Sequence, residues 1–343
     1  MKRTLSLLLV LLLLLPAAAL GEDKLPKVKF PAANCLGYLD TECVISLEIV
    51  NPGSFSGSKT LELRDRYNRL IGTREYKPGQ NVYFRLQFDE TFLGGYDLSV
   101  WCAGKKISAN SAYLAVADRH RKAVVKADTP ENWISVAIDC TFEADQTDDI
   151  LDALEKNGVK ATFFLSGSFV LTFPEAARKI RDAGHEIGSS SWTHAHLLEL
   201  GQDLRFNQVR KGGQIIREKL GVIPRLFMPP YGEFDVTISA PARAEGMEVV
   251  LWTVDSKDWD AKIANDPAAA LKQATENVEP GAIVVFHSDG YNTAKTLADA
   301  LSYYLDTLGL TPVPVGELIV SAGMELPPCP YEETRVMISQ YVL

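Results

Sequence analysis

Apolar and polar positions alternate in short segments over the first third of the chain, and longer runs with a helical repeat follow. Alternation occurs at 43–49, 60–64, 82–88 and 96–102, separated by turn-forming stretches such as NPGSFSG, KPGQ and GG. A period of two broken by tight turns predicts an antiparallel β-sandwich over residues 26–118, and Trp101 next to Cys102 suggests an immunoglobulin-like core. The basic segment at 119–132 reads as a solvated linker, and beyond it the pattern changes. Apolar runs of strand length at 136–138, 161–165, 186–187, 225–227, 249–254 and 283–286 each precede an amphipathic stretch, at 147–157, 174–183, 203–220, 236–245, 267–278 and 293–308. Strand followed by helix, repeated, predicts an α/β domain with a parallel sheet and helices outside, either doubly wound or closed into a barrel.

The N-terminus adds a destination. Lys2 and Arg3 precede an apolar run at 5–15, then Pro16 and the small-residue pattern Ala19-Leu20-Gly21. That is the pattern of a secretory leader over 1–21, with a mature chain from about Glu22 that is secreted or periplasmic. The alternative is an uncleaved anchor. After leader removal no apolar run is long enough to span a bilayer. The whole chain has 35 Lys and Arg against 44 Asp and Glu, a net charge of −9; without Lys2 and Arg3 the balance is 33 against 44, or −11. Such an acidic chain argues against nucleic acid and anionic membrane as partners. Five cysteines in an oxidising compartment leave at least one unpaired. Cys43 and Cys102, both on short β segments, are expected to bond across the sandwich and Cys140 to stay free.

Functional groups in parallel α/β folds gather at the carboxyl ends of strands, and Asp139, Ser190, Met228, Asp255 and His287 all fall there. The residues around them carry a resemblance. VAIDCTFEADQTDDILDALEKNGVKATFFLSG, at 136–167, is similar to the TFDDG and GVKATFF opening of the NodB-type polysaccharide deacetylases, carbohydrate esterase family four. GHEIGSSSWTHAHLLEL resembles that family's GHEIGNHxxxHPxL, and FMPPYG its RPPYG. WTVDSKDW resembles WTxDSxDW with one residue more before the second Asp, and GAIVVFHSDG places His287 after an apolar strand. The motifs come in the family's order over about 135–320.

The resemblance implies a distorted (β/α)7 barrel, NodB-like, over 133–325, preceded by the small all-β sandwich and followed by a tail at 326–343. It implies Asp139 as catalytic base, His287 as the acid that protonates the leaving group, Asp255 as the residue tuning that histidine, and the Tyr231 N–H as an oxyanion donor. Trp259, Trp192 and Tyr231 are the expected sugar-contacting residues. The family's Asp-His-His metal triad reads Cys140, Ser190 and His194 here, and its base-orienting Arg reads Met228. A serine hydroxyl is a poor zinc ligand. Some relatives read FDAAWGNEDT, which aligns Asp145 as a stand-in acid, so Cys140, Asp145 and His194 form the candidate set for a divalent metal such as zinc, with Glu143 or His196 as other possible third ligands. The competing reading makes Cys140 a small buried hydrophobe and His194 a hydrogen-bonded wall residue.

Two functions follow. One is a hydrolase that removes acetyl groups from an N- or O-acetylated envelope or extracellular glycan, polysaccharide or peptidoglycan. The other is an inactive pseudoenzyme that binds glycan in the retained groove. For the sandwich, a spacer or dimerisation element is favoured over a carbohydrate-binding module, because no exposed aromatic platform is evident.

Overall fold

The computed structural model describes residues 23–331. The expected leader and most of the expected tail lie outside the described residues. In the sandwich one sheet pairs Lys27–Lys29, Cys43–Asn51 and Val82–Leu86 antiparallel. The other runs in the order Asn34–Tyr38, Ala112–Ala117, Gly94–Cys102, Lys59–Arg64, Leu70–Tyr76, and its first two strands are parallel. The predicted alternation is met: Cys43, Ile45 and Leu47 are buried while Val44, Ser46 and Glu48 are exposed. Ala112–Ala117 shows no alternation because both its faces are covered. Ala112, Leu114 and Val116 enter the sandwich core, while Tyr113 and Ala115 pack on Phe206 and Ala244 of the second domain.

No bond joins Cys43 to Cys102; all five cysteines are free thiols. Cys43 instead directs its Sγ to the Leu36 carbonyl at 3.5 Å. Burial, and next the adjacent Cys35, push its pKa up to about 11.

The second domain curls an eight-stranded parallel sheet into an open barrel: the short Thr311–Pro312 pairs with the first strand off the main path, and the other seven, Trp133–Cys140, Thr162–Leu165, Glu186–Ser189, Leu226–Phe227, Glu248–Val249, Val254–Asp255 and Ile283–His287, follow one path. Their spatial order is fifth, fourth, third, second, first, seventh, sixth. The fold expected from the motifs, a distorted (β/α)7 barrel behind an all-β domain, is thus the fold observed, with the opening between the fifth and sixth strands. Residues expected as a solvated linker are partly structural. Val124 donates its N–H to the Val249 carbonyl and accepts from the Leu251 N–H, both at 2.8 Å, and the Ala127 N–H reaches the Gly281 carbonyl at 3.0 Å. Buried Val124 and Ala127 thereby tie the fifth strand to the start of the seventh. An apolar residue at each contact point outweighed the basic residues around it.

One buried acid ties together the sandwich, the second domain and the tail. The buried Glu245 carboxylate accepts from the Tyr113 hydroxyl of the sandwich at 2.8 Å, from Arg210 Nε at 2.9 Å and from the Tyr331 hydroxyl of the tail. Arg217 lies 3.6 Å away. Among the described residues no helix is long and apolar enough to cross a membrane.

Candidate active-site cleft

Asp139 is the penultimate residue of the first barrel strand, paired in register with Phe164 on one side and His287 on the other. Strand alternation decides which side chains reach the barrel mouth. Ala137 packs in the interior, whereas Val136, Ile138 and Cys140 join the core between sheet and helices. Asp139 therefore opens into the cleft. Only 7% exposed, it places Oδ2 2.9 Å from His194 Nε2 and leaves Oδ1 without a partner. Burial pushes its pKa up, but His194 and then His287 outweigh that and hold it below the ordinary carboxylate range. His194 sits in a left-handed turn with φ +54°, its N–H held by Ser191 Oγ at 3.1 Å.

The candidate metal set does not assemble. Cys140 is fully buried in the helix-facing core, and burial pushes its thiol well above the ordinary range, so it supplies no thiolate. Asp145 is exposed and outside the residues lining the cleft. Ser190 is buried with an unpartnered Oγ, and His194 is engaged by Asp139. Among the described residues no group of three His, Cys, Asp or Glu side chains is placed to hold a metal ion. A divalent ion needs at least three such donors in a catalytic site, so the residues present do not fit one.

Asp255 was expected to tune His287; it contributes through its charge, but the bonded partner of His287 is Asp258. His287 Nδ1 lies 2.7 Å from Asp258 Oδ1, and Asp258 Oδ2 accepts the His287 N–H at 2.9 Å and the Thr293 hydroxyl at 2.7 Å. Gly290 permits that approach, since a Cβ there would stand 2.8 Å from the Asp258 carboxyl carbon. Burial lowers the His287 pKa, but the hydrogen bond and charge of Asp258 overcome this and raise it to about 9. The imidazolium is therefore the resting form. Asp255 instead accepts the Lys257 N–H at 2.8 Å and stands 3.4 Å from Trp259 Nε1. The extra motif residue, Lys257, is absorbed in a left-handed turn with φ +53°. That turn brings both acids to the strand end.

Met228 occupies the place of the family's arginine, buried among Ala137, Phe164, Val250 and Val285, and offers no donor to Asp139 Oδ1. Beyond it Pro230–Gly232 forms a tight turn with Tyr231 at φ +58°. The half-exposed Tyr231 ring stacks on His196 at 3.8 Å and lies 4.9 Å from His194.

These residues enclose a cleft of about 430 Å³. Its polar lining holds the carboxylates of Asp139, Asp255 and Asp289 and the imidazoles of His194 and His287. Its apolar lining holds the rings of Phe142, Tyr231, Trp252 and Trp259. Trp192, expected there, lies elsewhere: its ring packs beside Gly167 under Lys211, whose Nζ is 3.3 Å from the ring centre. Asp258, Asp289, Phe142 and Trp252 escaped the sequence reading. Asp289 follows His287 by two residues and Trp252 opens the WTVDSKDW motif, so both signals were present. Burial, followed by backbone and charge contacts, leaves the Asp289 pKa above the ordinary range.

A family model described as polysaccharide deacetylase matches residues 126–250. The peptidoglycan-N-acetylglucosamine deacetylase of Listeria monocytogenes is 30% identical over 205 residues, which are 58% of this chain and 43% of that relative. The chain thus spans less than half the length of that relative. Among solved structures, a family 4 carbohydrate esterase pseudoenzyme from Bacillus anthracis superposes with a TM-score of 0.54 at 27% identity, covering 68% of this chain and 77% of that one. A mutant of that pseudoenzyme, described as having restored enzymatic activity, gives the same TM-score and identity over 68% of this chain and 79% of its own.

Proposed function

We propose that this chain, whose second domain belongs to the polysaccharide deacetylase family, holds an amino-sugar glycan of the cell-wall class in its cleft without hydrolysing it at the rate of its metal-assisted relatives. The glycan class rests on the named activity of the Listeria relative. The apolar run near the N-terminus supports a place outside the cytoplasm.

One observation carries the loss of hydrolysis: Asp139 is paired with His194 while Cys140 faces away from the cleft. A resident ion would both acidify water and polarise the acetyl carbonyl, and nothing among these donors replaces it. Glycan binding does not need that chemistry. Trp252, Trp259 and Tyr231 offer ring faces for sugar C–H surfaces, and the carboxylates and imidazoles accept or donate to hydroxyls.

The protonated His287 favours a second reading, residual hydrolysis. Asp139 would take a proton from water, the hydroxide oxygen would bond to the acetyl carbon, and the His287 imidazolium would give its proton to the departing amine nitrogen as the C–N bond breaks. Acetate release and glycan binding, measured on the same acetylated oligomers, separate the readings. Binding without acetate supports the binding protein. Release that disappears in both Asp139→Asn and His287→Gln variants supports the hydrolase. Neither binding nor release overturns both.

A further inference from the structure

The charge of the cleft is one-sided. Three carboxylates line it, Asp139, Asp255 and Asp289, and among the described residues no lysine or arginine does. Its one strong cation, the His287 imidazolium, already faces the fully buried Asp258 at 2.7 Å. The rings of Phe142, Tyr231, Trp252 and Trp259 add electron-rich faces. Asp139 supplies a second sign: it is 7% exposed, lines the cleft, and its Oδ1 has no partner at bonding distance, the Ser190 hydroxyl being a neutral donor near its carboxylate. A buried carboxylate oxygen left unpaired is costly, and a charged N–H donor is the group that offsets the cost most fully.

An N-acetylated sugar meets this demand poorly. Its amide is neutral and offers one N–H. A free amino sugar offers an ammonium with three donors on a ring whose apolar face stacks on tryptophan. We propose that the cleft recognises the de-N-acetylated amino sugar, a glucosamine unit of the glycan, in preference to the acetylated one. This rests on the glycan-binding reading above and specifies its ligand. The ligand would then be the product of an N-deacetylation carried out elsewhere, so the protein reads a modification that its relatives write.

Calorimetric titration of the full chain at neutral pH, with glucosamine and N-acetylglucosamine oligomers of matched length, tests the proposal. The glucosamine oligomer is expected to bind at least about tenfold more tightly, a difference of about 1.4 kcal/mol. Because the chain is acidic overall, a lysine oligomer of matched charge serves as control and is expected to bind more weakly than the amino sugar. Asp139→Asn and Asp289→Asn are each expected to erase most of the preference. Trp259→Ala, at a half-exposed position that does not threaten folding, is expected to weaken both sugars. Equal or tighter binding of the acetylated oligomer overturns the proposal and leaves the glycan-binding reading standing. So does a preference unchanged in the aspartate variants or matched by the lysine oligomer. Binding of neither sugar overturns the glycan-binding reading as well.

Discussion

His194 Nε2 and Asp139 Oδ2 stand 2.9 Å apart at the mouth of the barrel. The imidazole that survives from the family's metal triad is thus bonded to the residue in the place of the base. Both are nine-tenths buried, and beside them Asp139 Oδ1, His194 Nδ1 and Ser190 Oγ lack partners. Of these atoms only Asp139 Oδ1 is an acceptor without any donating capacity of its own, and a cationic or N–H-bearing guest would satisfy it.

Protein purified without chelator and dialysed should carry much less than one equivalent of zinc. Elemental analysis decides it, and a stoichiometric ion that survives dialysis would contradict the donor geometry described here.

The His287–Asp258 pair makes stability pH-dependent. The folded-state pKa of His287 is about 9 against an ordinary 6.5, so its contribution is fully present below about 6.5 and lost as pH rises through about 9. The urea midpoint of the wild type should fall across that window more than that of His287→Gln. In Asp258→Asn the His287 NMR titration should move down toward the ordinary histidine range.

Glu245 joins the two domains and the tail through Tyr113, Arg210 and Tyr331. Removing one member of a buried charge network leaves the others uncompensated, so Glu245→Ala should cost about 3–5 kcal/mol in urea unfolding. Glu245→Gln should cost less because it keeps acceptor capacity toward Tyr113. A loss under about 1 kcal/mol for the alanine variant would mean that the domains are coupled elsewhere.

The order of strands and helices was legible because period and length encode it, and the strand-end rule found Asp139 and His287. Directions set by single backbone turns were not legible. Ser191 at φ +67° and His194 at φ +54° swing Trp192 out of the cleft, and Lys257 at φ +53° puts Asp258 rather than Asp255 behind His287. None of the three is a glycine, so composition gave no warning. Cys140 was different: it shares the parity of Val136 and Ile138, so alternation already placed it on the helix side. The motif alignment hid that. Ala112–Ala117 was missed because the second domain covers its outer face.

The cysteines give a chemical check on the same packing. Alkylation of unfolded, unreduced protein followed by mass spectrometry should find no Cys43–Cys102 link, and Cys140 should resist alkylation in the native state. A Cys43–Cys102 product would show that the sandwich core packs differently.

Restoring the family's residues tests how far the site has diverged, and the geometry ranks the three changes. Ser190 follows a third strand whose Ser189 Oγ lies against Gly212 of a helix, so the next side chain turns inward, where its Oγ is buried and unpartnered. Ser190→His should place a second imidazole beside Asp139 and His194, giving three strong donors at one point. Met228→Arg inserts a guanidinium among Ala137, Phe164 and Val285 but gives Asp139 Oδ1 its missing donor, so its burial is partly compensated. Cys140→Asp puts a carboxylate among Ile138, Ile150 and Leu154, where it has nothing to bind and should lower stability by several kcal/mol. Zinc affinity should therefore rise with Ser190→His, more with Ser190→His and Met228→Arg together, and little with Cys140→Asp alone. The effects should be non-additive because the residues act as a unit. Competition with a zinc indicator measures each variant, with urea unfolding run alongside. A Cys140→Asp variant that is stable and binds zinc by itself would show that the strand end can turn its side chain into the cleft, and the orientation argued for Cys140 would be wrong.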